Sequence, residues 1–126
     1  MSRPPHQPHY PGRAAIEAYG AGGFRFAGMS HKGSILALPS GIWAWAAATP
    51  ADISEQNLER VLAEPAIDLL VVGTGRNVAV LAPALRGRLK QRGLAVEVLP
   101  TASAASTYNI LLAENRRVAA ALLAAD

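Results

Sequence analysis

Residues 68–72 end in four consecutive apolar side chains, and this run constrains the fold more than any other feature of the sequence. A strand without polar alternation is typical of a sheet interior, where both faces are buried. A helical pattern follows at residues 83–92, then a strand pattern at residues 95–99 and a helix predicted over residues 101–113. Strands and helices that alternate at this spacing favour parallel pairing with right-handed crossovers. The sequence therefore predicts an α/β fold.

Shorter patterns precede this unit. Residues 16–19 and 24–26 are predicted as short extended segments on either side of a glycine-rich turn. Residues 34–38 and 42–46 are predicted as neighbouring strands, because the Pro-Ser-Gly sequence between them is a turn signal. Residues 54–63 carry apolar side chains at helical spacing and are predicted as a helix. The last segment, residues 116–124, is ambiguous: its alanines and leucines favour a helix, although Asn115 can form the left-handed turn that ends one.

Length and composition indicate one globular domain. The chain has 126 residues, of which 51% are hydrophobic and 17% charged, and these values exclude a disordered chain. Residues 1–14 are rich in proline and histidine and are predicted to form a mobile tail, so that the domain spans residues 15–126. No apolar run approaches the roughly 20 residues of a membrane span, and no signal-peptide core is present. We therefore expect a cytoplasmic protein.

Metal, cofactor and nucleic-acid binding find little support. The sequence has no cysteine, which excludes disulfides and thiolate ligands. His6 and His9 lie three residues apart but lack a third ligand nearby, so no metal site and no cofactor are predicted. The net charge is only +3. In the densest basic segment, helical geometry turns Arg86 and Lys90 away from its other two arginines, and no aromatic residues are interleaved, so we expect a solvated helix face and no nucleic-acid partner. The excess of arginine over lysine and the abundance of alanine hint at a bacterial source.

One candidate binding site follows the predicted interior strand, at residues 73–77. In α/β sheets, ligands bind beyond the carboxyl ends of the strands, where glycines let backbone N–H groups approach an anion. Gly73, Thr74, Gly75 and Arg76 are such a sequence, and Thr101 opens the helix after the next strand. Parallel pairing would bring these residues together in a small polar cleft. The dinucleotide and phosphate-loop patterns both fail here, and a structural turn with Thr101 as a helix cap is the alternative.

Three further residues are candidates for ligand contact. Thr107 and Asn109 flank Tyr108 on the third helix, where structural hydrogen bonding is the alternative to a functional surface. His31 is the only histidine outside the tail and the only plausible proton donor near neutral pH, with a structural role in a loop as its alternative. No nucleophile elbow accompanies it, and no two carboxylates share a helix face. The sequence thus predicts no catalytic residues and favours binding over catalysis.

Five short segments occur in a fixed order along the chain: residues 19–24 (Tyr-Gly-x-Gly-Gly-Phe), 33–36 (Gly-Ser-Ile-Leu), 71–75 (Val-Val-Gly-Thr-Gly), 95–98 (Ala-Val-Glu-Val) and 107–114 (Thr-Tyr-Asn-x-Leu-x-x-Glu). Together they resemble the Mth938-like family. The resemblance covers residues 16–124. This sequence departs from the family pattern at Ser106, where many relatives have a basic residue, and at Asn115, where they often have glycine.

The resemblance implies a three-layer fold: a central mixed, mostly parallel sheet flanked by helices, with a short N-terminal β-hairpin. It also implies that residues 117–123 form a last strand antiparallel to its sheet neighbours, against their helix propensity. The eukaryotic branch of the family includes a mitochondrial respiratory complex I assembly factor, and members are not established enzymes.

Two functions are therefore considered. The first is a non-enzymatic, assembly-factor-like domain that binds a protein, for example a subunit of a membrane complex. Its candidate anchors are the loop of Gly22, Gly23 and Phe24, together with Trp43 and Trp45 if these are exposed. The second is a binding protein or enzyme for a small anionic metabolite at the predicted cleft. Self-association is left open.

Overall fold

The structure is a computed structural model that describes residues 7–125. Its strands and helices follow in the order β1 (Ile16–Gly20), β2 (Gly23–Phe26), β3 (Met29–Lys32), β4 (Ile35–Leu38), β5 (Gly41–Ala44), α1 (Glu59–Ala63), β6 (Leu69–Gly73), α2 (Pro83–Gln91), β7 (Ala95–Leu99), α3 (Thr101–Ala113) and β8 (Val118–Leu122), with a 3₁₀ turn at Pro50–Asp52 before α1. The α/β class predicted from the alternating patterns is confirmed. The predicted bounds of α3 are also confirmed, and α2 ends one residue earlier than predicted.

The central sheet has the strand order β5-β4-β8-β6-β7. The strand β6 pairs in parallel with both β7 and β8, whereas β4 pairs antiparallel with β5 and β8. The sheet is therefore mixed, as the resemblance implied, although its pairings divide evenly rather than being mostly parallel. The antiparallel direction implied for the last strand is confirmed against β4 and is wrong against β6.

The last strand, β8, is the central strand of this sheet, and all five of its residues are buried. Its alanines would suit a helix, but burial on both faces decides the outcome. Asn115 ends α3 in the left-handed conformation, with φ of 59°. The N–H of Asn115 donates to the carbonyl of Leu112, and the N–H of Arg116 donates to the carbonyl of Leu111. These two bonds are a Schellman motif, which reverses the chain into β8.

The sheet separates two apolar clusters, and this gives the three layers. On one face α1, α2 and the tryptophans of the β5 region pack on Leu70 and Val72. On the other face α3 and the small sheet pack on Val71, with Phe24, Phe26 and Tyr108 among the buried side chains. Alternate residues of β6 thus serve opposite clusters, because successive strand side chains point to opposite faces. The three-layer arrangement is confirmed.

A separate three-stranded antiparallel sheet, β1-β2-β3, precedes the central sheet. The resemblance implied a hairpin of its first two strands, and the sequence analysis placed His31 in a loop; the structure shows a third strand at Met29–Lys32 instead. Both connecting turns are two-residue turns with positive φ at each central residue: 52° and 77° at Ala21 and Gly22, 50° and 74° at Ala27 and Gly28. Such turns match the twist of paired strands but favour asparagine or glycine at the first position.

The first helix is shorter than predicted. Within the predicted span only Glu59–Ala63 is α-helical, and residues 55–58 form turns. Ser54 still caps this segment, since its hydroxyl accepts a hydrogen bond of 3.1 Å from the N–H of Asn57.

The segment before β1 contacts an edge of the central sheet. The N–H of His9 donates to the carbonyl of Ile42 at 2.8 Å, and the N–H of Ile42 donates to the carbonyl of Tyr10 at 2.9 Å. These bonds cover the outer edge of β5. The predicted boundary between tail and domain stays a prediction, and residues 1–6, which include His6, lie outside the described residues. Within residues 7–125, no helix is long and apolar enough to cross a bilayer.

Replacing Ala27 with asparagine should stabilise the small sheet. A left-handed conformation costs an L-residue roughly 1–2 kcal/mol, and asparagine tolerates it better than alanine. We expect Ala27→Asn to raise the free energy of unfolding by about 0.5–1 kcal/mol in urea titrations, and Ala27→Val to lower it. An unchanged or lower stability for Ala27→Asn would contradict the turn assignment, since Ala27 is exposed and loses no packing.

Candidate functional site

The predicted cleft residues do converge at the carboxyl ends of β6 and β7. The N–H of Thr101 donates to the carbonyl of Gly75 at 2.8 Å, and the N–H of Gly75 donates to the Thr101 hydroxyl at 2.8 Å. A Cβ on Gly73 would lie 2.9 Å from the Cα of Thr101. Glycine is therefore required at position 73 for this close approach, as parallel pairing of the two strands predicted.

The donors at this place are engaged within the protein. The Thr101 hydroxyl, 1% exposed, donates to the carbonyl of Leu123 at 2.7 Å while it accepts from Gly75. The hydroxyl of Thr74, also buried, donates to the carbonyl of Asn77 at 2.7 Å and accepts from the N–H of Ala79 at 3.1 Å. A hydroxyl has one hydrogen to donate, so neither side chain has one left for a ligand in this arrangement.

Arg76 differs from its neighbours because it is exposed. Among residues 7–125 no hydrogen bond or ion pair of its guanidinium is present. The cleft thus consists of a closed hydrogen-bonded junction, made by Gly73, Thr74, Gly75 and Thr101, and one arginine outside it. Ligand binding by these residues stays a prediction. The alternative weighed for Thr101, a helix cap, is wrong: Pro100 occupies the cap position of α3 without a side-chain cap bond, and the Thr101 hydroxyl instead bonds Gly75 and Leu123.

Asn109 joins the small sheet to α3. Its Oδ1 accepts a hydrogen bond from the N–H of Ile16, and its Nδ2 donates to the carbonyl of the same residue, each at 2.8 Å. The amide therefore occupies both backbone groups of a β1 residue, as a neighbouring strand would. Structural bonding, the alternative weighed for this residue, accounts for both ends of the side chain.

The neighbours of Asn109 have different surroundings. Thr107 is half-buried, six residues beyond Thr101, which places it about 9 Å further along the helix axis and away from the junction. Tyr108 is buried, and burial raises the pKa of its phenol to about 12. The phenol therefore stays protonated at neutral pH and belongs to the apolar cluster.

His31 lies on β3 and not in a loop. Its ring is half-buried, with its centroid 4.6 Å from that of His9. Burial and, to a lesser degree, the neighbouring His9 lower the pKa of His31. Among the described residues, the ring of His31 lies beside those of His9 and Phe26, and no hydrogen bond or ring contact joins this only plausible proton donor to Thr101 of the predicted cleft.

A groove on the small sheet was not predicted. It has a volume of about 580 Å³ and is lined by side chains and backbone of all three strands, among them Tyr19, Arg25, His31 and Lys32. Tyr19 is 51% exposed. No sequence signal located it, because the third strand is mostly polar and exposed and the turn before it has alanine where asparagine would mark a hairpin.

The aromatic anchors suggested for a protein interface are core residues instead. Phe24, Trp43 and Trp45 are buried. The indole N–H of Trp45 donates to the carbonyl of Asn57 at 2.9 Å, and the guanidinium of Arg60 lies 3.6 Å from the centre of the Trp43 ring. The exposure on which the suggestion for Trp43 and Trp45 depended is therefore absent, and Phe24 of the suggested anchor loop is buried as well.

Metal ligation has no geometric basis in the part of the chain that the structure describes. Within it no three histidine, aspartate or glutamate side chains are grouped closely enough to hold an ion.

Removing the Thr101 hydroxyl should destabilise the protein strongly. Thr101→Val keeps the shape but leaves the carbonyl of Leu123 and the N–H of Gly75 without partners inside the fold. We expect a loss of about 2–4 kcal/mol in the free energy of unfolding, because each buried unpaired group costs about 1–3 kcal/mol. Thr101→Ser retains the hydroxyl and should lose much less. Equal losses for the two variants, measured by urea unfolding, would argue that packing of the methyl group matters instead.

Acidification should weaken the fold through His31. A lowered pKa means that the unfolded chain takes up the proton more readily than the folded one, so stability is complete above about pH 6.5 and falls as the pH drops below it. We expect His31→Gln to flatten this decline in melting temperature. His9→Gln should raise the pKa of His31, followed by NMR of the ring protons. A wild-type melting temperature that is constant from neutral to mildly acidic pH would contradict the assignment.

Comparison with known proteins places the chain in a family. A family model described as "Protein of unknown function (DUF498/DUF598)" matches residues 16–123. An uncharacterized protein of Rhodobacter capsulatus is 41% identical over 119 residues, which cover 94% of this chain and 91% of that protein. NADH dehydrogenase (ubiquinone) 1 alpha subcomplex assembly factor 3 of Mus musculus is 35% identical over 118 residues, 93% of this chain. The match spans 64% of the mouse protein, just under two thirds of its length.

Solved structures agree with this placement. A crystal structure described as an outer membrane protein from Bartonella henselae superimposes with a TM-score of 0.90 at 44% identity, covering 94% of this chain and all of that one. A Bordetella pertussis structure described as a Mth938-like domain gives 0.77 at 33% identity, covering 87% of this chain and 85% of that one. The family match over residues 16–123 and these likenesses show that the chain belongs to the DUF498/DUF598 family, with the fold of the Mth938-like domain.

Proposed function

We propose that this protein is a protein-binding domain of the assembly-factor kind and not an enzyme. The observation that carries the proposal is the closed junction at the carboxyl ends of β6 and β7. At this position α/β proteins commonly bind small ligands, but here the hydroxyls of Thr74 and Thr101 are buried and bonded to backbone carbonyls. Open grooves are present elsewhere on the surface, among them one on the small sheet and one between α2 and β7.

The relatives support the same class of function. The Mus musculus relative is named as an assembly factor for NADH dehydrogenase, and similarity to it extends over 93% of this chain. We infer that the partner is a subunit of a membrane complex met during assembly, with the protein itself acting from the cytoplasmic side.

The anionic-metabolite alternative lacks a comparable observation. It needs backbone donors that face an open cleft, yet the N–H of Gly75 is bonded to the Thr101 hydroxyl and the N–H of Thr74 to the carbonyl of Leu99. Among the four residues at the end of β6 and Thr101, Arg76 has the exposed side chain, and a single exposed guanidinium is a weak site because water and salt screen it.

Loss of the protein from its native cells should reduce the amount of fully assembled NADH dehydrogenase and cause partial assemblies to accumulate. The measurement is native gel electrophoresis of membranes, with mass spectrometry of the bands and of proteins that co-purify with a tagged copy. Full-size complex at an unchanged level, and no complex subunit among the co-purified proteins, would overturn the proposal.

An Arg76→Ala variant separates the two functions in the same cells. The side chain is exposed and makes no hydrogen bond among the described residues, so its removal should leave the fold intact. We expect this variant to restore assembly as well as the wild type does. Failure to restore it at normal protein levels would instead favour an anion bound by Arg76.

A further inference from the structure

The outer edge of β7 is open. Among residues 7–125, β7 pairs only with β6, whereas the opposite edge of the sheet is covered by His9 and Tyr10. An open strand edge presents a row of backbone N–H and C=O groups to which another strand can bind.

The directions of these groups follow from the bonds that β7 already makes. The N–H of Ala95 donates to Asp68, and the carbonyl of Leu99 accepts from Thr74, each at 2.9 Å. The backbone N–H and C=O groups of successive strand residues point to opposite sides of the strand. Since Ala95 and Leu99 point toward β6, the N–H and C=O groups of Val96 and Val98 point outward. No hydrogen bond to these groups is present among the described residues, so two donors and two acceptors are in place for an added strand.

A basic groove runs beside this edge. It has a volume of about 470 Å³ and lies between α2 and β7, lined by Arg86, Gly87, Lys90, Leu94, Ala95 and Val96. Arg86 and Lys90 are exposed, and neither has an ion pair or side-chain hydrogen bond within the described residues. The groove therefore combines an apolar floor with two uncompensated positive charges.

Two neighbouring cations, Arg88 of α2 and Arg92 directly after its last residue, are bonded within the protein. Arg88 forms an ion pair with Glu55 at 2.8 Å, and Arg92 donates to the carbonyl of Leu62. Both fasten α2 to the α1 region. Arg88 and Arg92 are thus bonded on the side toward α1, whereas Arg86 and Lys90 lie on the side toward the β7 edge.

The nearest acidic residue of the strand does not neutralise this groove. Glu97 alternates with Val96 and Val98, whose side chains pack on the α2 side of the sheet, so Glu97 points to the α3 side. An anion beside Arg86 and Lys90 would therefore meet no carboxylate from β7.

Gly87 keeps the groove open at its centre. It lies in the interior of α2, where glycine costs about 1 kcal/mol relative to alanine. A Cβ at this position would meet no atom within 4 Å. Close packing therefore does not require glycine here, and a larger side chain would occupy the groove itself.

We propose that the β7 edge and this groove bind an extended, acidic segment of a partner protein, which adds as a strand beside β7. The backbone of the segment pairs with Val96 and Val98, and its carboxylates lie against Arg86 and Lys90. This inference rests on the proposed protein-binding function and names the surface and the chemistry of its partner.

A second copy of the chain fits this surface less well. Antiparallel pairing of two β7 edges around a two-fold axis would place both α2 helices on the same face of the joined sheet. Arg86 and Lys90 of each copy would then face the same residues of the other, and like charges at an interface oppose association.

The test uses the full chain and a capped peptide of alternating valine and glutamate, with a valine–lysine peptide as its control. We expect the glutamate peptide to bind, the lysine peptide not to bind, and binding to weaken as salt is added. Amide hydrogen exchange followed by NMR should show Val96 and Val98 protected on binding. Absence of binding, equal binding of the two peptides, or protection at other strands would overturn the proposal.

Two charge-reversal variants, one in the groove and one outside it, test whether the peptide binds in the groove. Lys90→Glu should weaken peptide binding about tenfold, while Arg116→Glu, an exposed reversal in the turn before β8, should leave it unchanged. Gly87→Gln should abolish binding with an equal or higher free energy of unfolding, because it fills the groove and improves helix propensity. Equal effects of the two charge reversals, or unimpaired binding by Gly87→Gln, would refute this surface.

Sedimentation and co-purification separate the remaining outcomes. A concentration-dependent dimer that Lys90→Glu strengthens would assign the edge to a second copy and overturn the proposal. If wild type and Gly87→Gln recover the same complex subunit from native cells, the surface is wrong while the protein-binding function stands. If wild type recovers none and assembly is unaffected by its loss, the function itself fails.

Discussion

The hydroxyl of Thr101 holds together the three chain segments that meet at the carboxyl edge of the central sheet. It bonds the loop after β6 through Gly75 and the end of β8 through Leu123. With no Cβ at Gly73, the helix α3 can start directly against β6. This closeness positions α3, and α3 in turn carries Asn109, which fixes the small sheet. One buried hydroxyl thus ties α3, and through it the small sheet, to the central sheet, and the same contact closes the place where an α/β sheet commonly receives a ligand.

The elements that the sequence predicted well are those whose periodicity agrees with their burial. The interior strand β6 and the helices α2 and α3 have patterns that only one structure satisfies. The third strand was missed because Met29–Lys32 is polar and exposed and because Ala27 stands where asparagine would signal the turn. The strand β8 has helix-forming side chains, and only the family resemblance identified it; its environment is built by distant segments that no local pattern describes.

The location of the candidate site could be predicted from the sequence, but not whether its hydrogen-bond donors are free. Parallel pairing places the ends of β6 and β7 side by side, so the contact between Gly75 and Thr101 follows from the pattern alone. Whether the Thr101 hydroxyl is free to donate to a ligand depends on the carbonyl of Leu123, which lies 22 residues along the chain, directly after β8. The register that brings Leu123 to Thr101 is a property of the assembled sheet. A convergence of polar groups can therefore be predicted from sequence, whereas which of those groups are already hydrogen-bonded depends on the folded structure.

The donors at the carboxyl ends of β6 and β7 are already bonded, so the proposed binding surface lies at another edge of the sheet. The charges of α2 indicate which edge. Its arginines that face α1 are bonded, as expected for cations that stabilise a fold, whereas Arg86 and Lys90 lie beside the open edge of β7. A glycine in the interior of this helix lowers its stability, and no neighbouring atom requires one. Three features meet here: the unpaired charges of Arg86 and Lys90, the open edge of β7, and Gly87. Each of them alone could be explained without a ligand. Their coincidence in one groove is most simply explained by a ligand that uses all three.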